Sequence, residues 1–262
     1  MNPKESQMLK TEGLTKYFGG LGAVVDLEFS VFEGQVTGII GPNGAGKSTV
    51  LNMIAGSISP TGGRIYFKGE DVTNVPPHMM ARRGIARVFQ SNTLFENESV
   101  ITNVRVGLYR HSKIGFLGAF LNTSYTQNRE KVLYEEALRI LEFIGLADQK
   151  DQHAVNLPHG SQRVLCLGVA MAVKPDLLLL DEPLTGMNAE EVDAMISMIK
   201  TLRDEKNITS IIVEHNMRAV MRLCDHIIVL NYGEKIAEGP PGEISQNPSV
   251  IQAYLGTEEN DA

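Results

Sequence analysis

Cysteine is scarce. The 262 residues contain two, Cys166 and Cys224, and neither sits in a pattern of zinc-ligand type. A disulfide framework and a sulfur-ligated metal site are therefore excluded, and a reducing, intracellular location fits. Positive charge is also in deficit: 24 Lys and Arg against 31 Asp and Glu leave a formal charge of −7. Nucleic-acid binders show a basic excess or a basic face, so no nucleic-acid partner is expected. A small basic pocket for a nucleotide remains compatible with this balance. No run reaches the roughly 18 consecutive apolar residues that cross a bilayer, and the start "MNPKESQMLK" lacks the apolar centre of a signal peptide. If the protein works at a membrane, another chain does the spanning. There is no internal repeat and no low-complexity tract. What is there is ordinary for a globular protein, with 43% apolar and 21% charged residues and enough length for one large or two small domains.

The chain changes texture along its length. "LKTEGLTKYF" and "AVVDLEFSVFEG" read as strands, and "QVTGII" is a short apolar strand that runs into a glycine-rich loop. "STVLNMIAG" has helical spacing, "GGRIYFKGEDV" reads as strand and turn, and "GIARVFQ" as a strand ending at Gln90. From about Phe95 to Ala172 the periodicity is helical. "REKVLYEEALRILEFIGL" is the clearest case, with Val132, Ala137, Ile140, Leu141 and Ile144 near one face. The stretch before it, "RHSKIGFLGAFLNTSYTQNRE", reads as a loop insertion with an apolar patch. "DLLLLDEP", "ITSIIVEH" and "HIIVLNYG" are buried strands of parallel type, separated by the helices "AEEVDAMISMIKTLRDE" and "NMRAVMRLC". A hairpin strand and two short helices close the chain. Alternating strands and helices predict an α/β core with a mainly parallel sheet, interrupted by a helical subdomain.

"GPNGAGKST", Gly41–Thr49, fits the phosphate-loop pattern G-x-x-x-x-G-K-[ST] in full. Its glycines, Gly41, Gly44 and Gly46, let backbone amides approach phosphate oxygens without a Cβ clash. Pro42, Asn43 and Ala45 complete the cradle, and the following helix offers its N-terminal amides. Lys47 reaches the outer phosphates, the Ser48 hydroxyl can ligate Mg²⁺, and Thr49 can bond an inner phosphate. Asp181, at the C-terminal end of a buried strand, is placed where open α/β sheets bind ligands. It is the candidate Mg²⁺ residue, acting directly or through water. Glu182 follows as the candidate base for water attacking the γ-phosphate. His215 and Gln90 end two further strands at the same sheet edge. The first is a candidate γ-phosphate contact; the second could touch Mg²⁺ or the attacking water.

In order, Phe18 before Gly19, "GPNGAGKST", Gln90, "LPHGSQR", "LLLLDEP", "LTGMN" and His215 resemble the ATP-binding subunits of ABC transporters over nearly the whole chain. The resemblance implies a P-loop NTPase core of RecA-like type with an N-terminal antiparallel β subdomain and an inserted α-helical subdomain. It implies a single domain over 8–256, with core about 8–94 and 173–238, helical subdomain about 95–172 and C-terminal helical extension about 239–256. Residues 257–262 form an acidic tail. It further implies ATP and Mg²⁺ as cofactors, adenine stacking by Phe18, a flexible segment opening at Gln90, and a switch role for His215. The signature segment Leu157, Pro158, His159, Gly160, Ser161 and Gln162 would close on ATP held by a second ATPase subunit in a head-to-tail homo- or heterodimer. Transmembrane permeases and, indirectly, a periplasmic or extracellular substrate-binding protein are the implied partners. The implied location is the cytoplasmic face of the inner or plasma membrane. "NPSVIQAYLG", "IVEHNMRAVM" and the insertion between Leu108 and Arg129 resemble the branched-chain amino-acid importers in particular. Urea or short-amide importers and the lipopolysaccharide-export ATPases are the alternatives.

The signature departs from L-S-G-G-Q: Pro158 replaces Ser, His159 replaces the first Gly, and Ser161 replaces Gln. Loss of the Ser hydroxyl removes a γ-phosphate bond that could contribute up to roughly 1.5–3 kcal/mol. The amides of Gly160 and Ser161 remain, and a protonated His159 offers an added donor. Asn188 stands where an Asp is usual. A weakened signature, compensated by a partner with a fuller one, is the expectation.

Overall fold

The computed structural model describes residues 6–88, 94–109 and 124–258. Two compact units emerge. One joins the chain up to Arg87 with Asp176–Leu184 and everything from Val192 onward; the other takes Val88–Pro175 and Thr185–Glu191.

The first unit carries two sheets. Strands β1 (Gln7–Phe18) and β2 (Leu21–Phe32) pair antiparallel, and β4 (Gly62–Phe67) and the two-residue β5 (Glu70–Asp71) extend them in the order β2-β1-β4-β5. Along β2 the inward residues Val24, Leu27, Phe29 and Val31 are buried, with an irregular register where a left-handed residue, Asp26, breaks the alternation. The second sheet runs β10-β9-β3-β8-β7-β6, from β10 (Glu234–Gly239) through β9 (His226–Asn231), β3 (Val36–Ile40), β8 (Thr209–Val213) and β7 (Leu177–Asp181) to β6 (Ile85–Val88). The pairs β9–β3, β3–β8 and β8–β7 are parallel, and β10 adds antiparallel at the edge. Every residue of β3, β7 and β8 is buried. That explains why these segments read as unbroken apolar runs: strands covered on both faces have no polar side to show.

Helix α1 (Lys47–Ile54) follows β3 directly and packs Val50, Leu51, Met53 and Ile54 into the core. Its neighbours there include Ile39, Leu179, Ile211, Val213 and Ile228 of the parallel sheet and Val24, Leu27 and Ile65 of the antiparallel one. A short helix, α2 (Pro77–Arg83), was not anticipated from the sequence. Pro76 and Pro77 look like breakers, but proline is tolerated in the first helical turn because its missing N–H would be unbonded there anyway. Later come α6 (Ala189–Lys206), whose first turn lies in the second unit, α7 (Met217–Leu223), α8 (Pro241–Ile244) and α9 (Pro248–Glu258). Helix α9 continues two residues into the expected acidic tail; residues 259–262 lie outside the described residues.

The second unit is helical. It holds helices α3 (Val100–Tyr109), α4 (Ser124–Phe143) and α5 (His159–Ala172), with two single 3-10 turns, Ala147–Gln149 and Ala154–Asn156, between α4 and α5; residues 110–123, which follow α3, lie outside the described residues. Gly107 lets α3 lie against Ala172 and Val169 of α5, where a Cβ would come within 2.8 Å. Buried Asn103 ties down the entry loop: its Oδ1 accepts from Phe95 N at 2.8 Å and its Nδ2 donates to Phe95 O and Ser99 O. Two expectations are corrected here. The stretch read as a loop up to Glu130 is already helical from Ser124; Glu130 in that turn is held by Arg105 and by Tyr109, whose hydroxyl donates at 2.6 Å. Val132 is 50% exposed, and Leu133 takes the buried position beside Ala137, Leu141 and Ile144. Val132 lies five residues before Ala137, roughly 140° off the stripe, whereas Leu133 lies four before it.

Candidate nucleotide site

Strand β3 ends at Ile40 and the chain turns at once into the glycine-rich loop. Gly41 has φ +150°, and a Cβ there would sit 2.0 Å from Leu230 O. Gly46, the N-cap of α1, has φ +99°, and its Cβ would lie 2.3 Å from Ala23 O. Neither position accommodates a side chain, so the loop can lie close against its neighbours and present backbone amides to a ligand. An open pocket of about 230 Å³ lies over it, lined by Ala23, residues 43–49 and Glu182. Lys47 is 7% exposed, and its amine donates to Gly41 O and Pro42 O, each at 2.8 Å. Burial pushes that amine below its ordinary pKa, while the charges of Glu182 and Asp181 pull it back up. Ser48 and Thr49 follow Lys47 in the first turn of α1, with Ser48 exposed to the pocket.

Asp181 closes β7 and is buried. Its Oδ2 accepts from Arg87 Nη2 at 2.7 Å, and Arg87 Nη1 donates to Asn52 Oδ1 at 2.6 Å. Asp181 Oδ1 has no hydrogen-bond partner among the described residues. Glu182 leaves the strand in the left-handed region, φ +49°, while its N–H donates to Val213 O at 2.9 Å. A side chain larger than Asn in that conformation costs about 1–3 kcal/mol and persists only where its surroundings over-determine it. His215 lies two residues beyond the end of β8 and is exposed; the strand itself stops at Val213. Between them sits Glu214, 1% exposed. Phe18 ends β1 with 51% of its surface exposed, and the Lys16 amine stands 5.1 Å from its ring centre. The fold thus brings the loop, Asp181 and Glu182 together, with His215 on the neighbouring strand's exit. Gln90 lies outside the described residues.

The signature segment belongs to the second unit. Leu157 is buried, and Pro158 is the N-cap of α5 with no side-chain cap. Gln162 Nε2 donates back to Leu157 O at 3.0 Å. His159 is exposed, and its ring lies beside Gly186, where an added Cβ would approach Nδ1 to 3.2 Å. A Cβ at Gly160 would meet the Glu191 carboxylate at 2.3–2.9 Å, so a side chain there would displace that carboxylate. Glu191 and Asn188 form a reciprocal cap on α6, Asn188 N–H donating to Glu191 Oε2 at 2.9 Å and Glu191 N–H to Asn188 Oδ1 at 3.0 Å.

Arg87, Glu214 and Glu191 were missed in the sequence. Glu191 was findable, since Asn-x-x-Glu before a helical run is a capping-box pattern. Arg87 and Glu214 leave no local signal.

A strand, a glycine loop and a helix that begins at a lysine, beside an acid pair at the end of a parallel strand, define a P-loop nucleotide-binding protein. The sequence pattern of the ABC transporter family matches residues 24–185, and the chain belongs to that family. A second pattern, described as branched-chain amino acid ATP-binding cassette transporter, matches residues 234–260. The high-affinity branched-chain amino acid transport ATP-binding protein BraF of Pseudomonas aeruginosa is 41% identical, over 95% of this chain and 98% of that one. LivG of Escherichia coli strain K12, of the same description, is 37% identical over the same shares. Among solved structures, a nucleotide-free ATP-binding cassette from an ABC transporter aligns with a TM-score of 0.82 and 32% identity, covering 95% of this chain and 98% of that chain. The ADP conformation of an ATP-binding cassette aligns at 0.83 and 32%, covering 95% and 99%. No helix among the described residues is long and apolar enough to cross a membrane.

Proposed function

We propose that this chain is the ATP-hydrolysing subunit of an importer for branched-chain or other hydrophobic amino acids. The observation that carries the reading is the pair of family matches, the ABC transporter pattern over 24–185 and the branched-chain cassette pattern over 234–260. The second match favours amino acids over urea, short amides or lipopolysaccharide export. In this reading residues 8–256 act as one cassette.

The geometry supports the chemistry. Phosphate oxygens entering the loop compete with Gly41 O and Pro42 O for the Lys47 amine, which exchanges two carbonyl bonds for bonds to an anion. Residues 41–49 bind the phosphates, and exposed Phe18 stacks on adenine. Asp181 Oδ1, an unpartnered oxygen, and the Ser48 hydroxyl are hard donors that suit Mg²⁺. Mg²⁺ is commonly held by one carboxylate plus substrate phosphates, and among the described residues no three His, Cys, Asp or Glu gather around a metal site. When bound, Mg²⁺ supplies charge neutralisation of the phosphates. Glu182 takes the proton of the attacking water, and His215 contacts the γ-phosphate. Gln90 is assigned to Mg²⁺ or that water. Residues 157–162 of one subunit close on the ATP of another, contributing backbone amides of Gly160 and Ser161, with exposed His159 offering a further donor when protonated. The second subunit, the permeases and a substrate-binding protein complete an assembly at the cytoplasmic face of the membrane.

Glu182→Gln tests both halves. Purified with its co-purifying subunits, the variant binds ATP as the wild type does and hydrolyses it roughly 10²–10⁴-fold more slowly. In cells it abolishes ATP-dependent uptake of labelled leucine, isoleucine or valine. Normal hydrolysis removes Glu182 from its role; normal uptake beside slow hydrolysis removes the substrate assignment.

A further inference from the structure

Two carboxylates are buried among the described residues, Asp181 and Glu214. Asp181 is compensated by Arg87. Glu214 is held instead by backbone. Its Oε1 accepts from Leu184 N–H at 2.8 Å and its Oε2 from His215 N–H at 3.3 Å, and the Asn216 amide bonds to it as well. Burial pushes its carboxyl above the ordinary value, while these amides and the charge of His215 pull it down. Placing a carboxylate here opposes burial, so its geometry must do something that packing alone would not.

That geometry spans two loop starts. Strands β7 and β8 are parallel neighbours with Asp181 opposite Val213. The bond from Glu182 N–H to Val213 O is the last of the ladder between them. Past it, Glu214 supplies one more link, reaching from the exit of β8 to Leu184, two residues beyond Glu182. The left-handed Glu182 is therefore pinned on both sides, by its own N–H and by the Leu184 amide. This is the over-determination that a strained residue needs. Three backbone N–H donors facing two oxygens select a carboxylate. A glutamine offers one acceptor and turns its amide NH₂ on a donor.

We propose that Glu214 is a positioning residue whose carboxylate clamps the Glu182–Leu184 turn to the His215 segment and so fixes the spacing of the two groups. The inference rests on the roles proposed above for Glu182 and His215. The test is Glu214→Gln in the full-length chain with its co-purifying subunits. The expected result is a kcat lowered roughly tenfold or more, with the KM for ATP and ATP binding within about twofold, as misplacement of reacting groups predicts. Unchanged kcat per folded molecule, with only the Tm lowered, overturns the clamp. In a His215→Ala background the loss caused by Glu214→Gln shrinks at least about threefold, because coupled residues are not additive. A slow His215→Ala enzyme in which the Glu214→Gln loss is undiminished overturns the clamp alone. A His215→Ala enzyme at the wild-type rate overturns the role of His215 and the clamp with it. Should Glu214→Gln fail to fold, amide exchange in the wild type decides. The Leu184 N–H exchanges at least about 100-fold slower than an open loop amide if it is clamped, and exchange at the open-loop rate overturns the proposal.

Discussion

Replacing Arg87 by Met breaks one buried ion pair. The guanidinium lies 2.7 Å from Asp181 Oδ2, with the two side chains 9% and 4% exposed. The second oxygen of Asp181 is already without a partner among the described residues, so the substitution leaves the buried carboxylate with Lys47 as the nearby cation that still acts on the same charge cluster. At 2.7 Å and an effective dielectric of about 20 the lost attraction is about 6 kcal/mol before relaxation. Removing one partner of a buried pair costs about 3–5 kcal/mol in practice, and the bond to Asn52 goes as well. For a chain of this size each kcal/mol moves the Tm by roughly 2–4 °C, so nucleotide-free Arg87→Met should melt roughly 6–20 °C lower. The double variant Arg87→Met/Asp181→Leu leaves no stranded charge and should recover much of that loss, with a coupling of about 2 kcal/mol or more. Thermal and urea unfolding of the four proteins measure it. A single variant losing less than about 1 kcal/mol, or a double variant equal to the sum of the singles, refutes the argument.

Lys47 gives a proton-linked prediction. Burial holds its amine below the ordinary 10.5, and phosphates favour the charged form, so ATP binding raises its pKa and takes up protons in the window below 10.5. Calorimetry in buffers of different ionisation enthalpy at about pH 9 should show net uptake that disappears in Lys47→Ala; proton release would count against it. The same depression makes this lysine's contribution to nucleotide-free stability grow as pH rises toward 10.5, since the unfolded lysine binds more protons there. Gly46→Ala puts a methyl 2.3 Å from Ala23 O at φ +99°. The strain of about 1–3 kcal/mol should weaken binding of a fluorescent ATP analogue roughly tenfold, and undiminished affinity would show that this backbone does not set the cradle.

Much of the site was legible because its determinants are contiguous. Nine residues, Gly41–Thr49, carry the turn, the amides, the lysine and the hydroxyls, and the strand before and the helix after are fixed by their own apolar patterns. The buried parallel strands read correctly for a similar reason, since burial on both faces writes an unbroken apolar run. Errors fell where the local pattern competes with something distant. Val132 satisfied a loose helical count, yet packing chose Leu133. The start of α4 at Ser124 stayed hidden because its stabilising bonds run from Glu130 back to Arg105 and Tyr109 on another helix.

What the sequence determined by itself was the glycine-rich loop Gly41–Thr49, the acid pair Asp181–Glu182, the α/β class and the family. What only the tertiary structure decided was how that acid pair is held. Arg87 and Asp181 are 94 positions apart, and Glu214 meets Leu184 across 30. Neither pairing follows from spacing along the chain. Each exists because β6, β7 and β8 lie side by side, and the order in which parallel strands assemble is fixed by helix crossovers and core packing rather than by any residue's own preference. A buried Arg or Glu reads as a surface charge until the sheet supplies its partner.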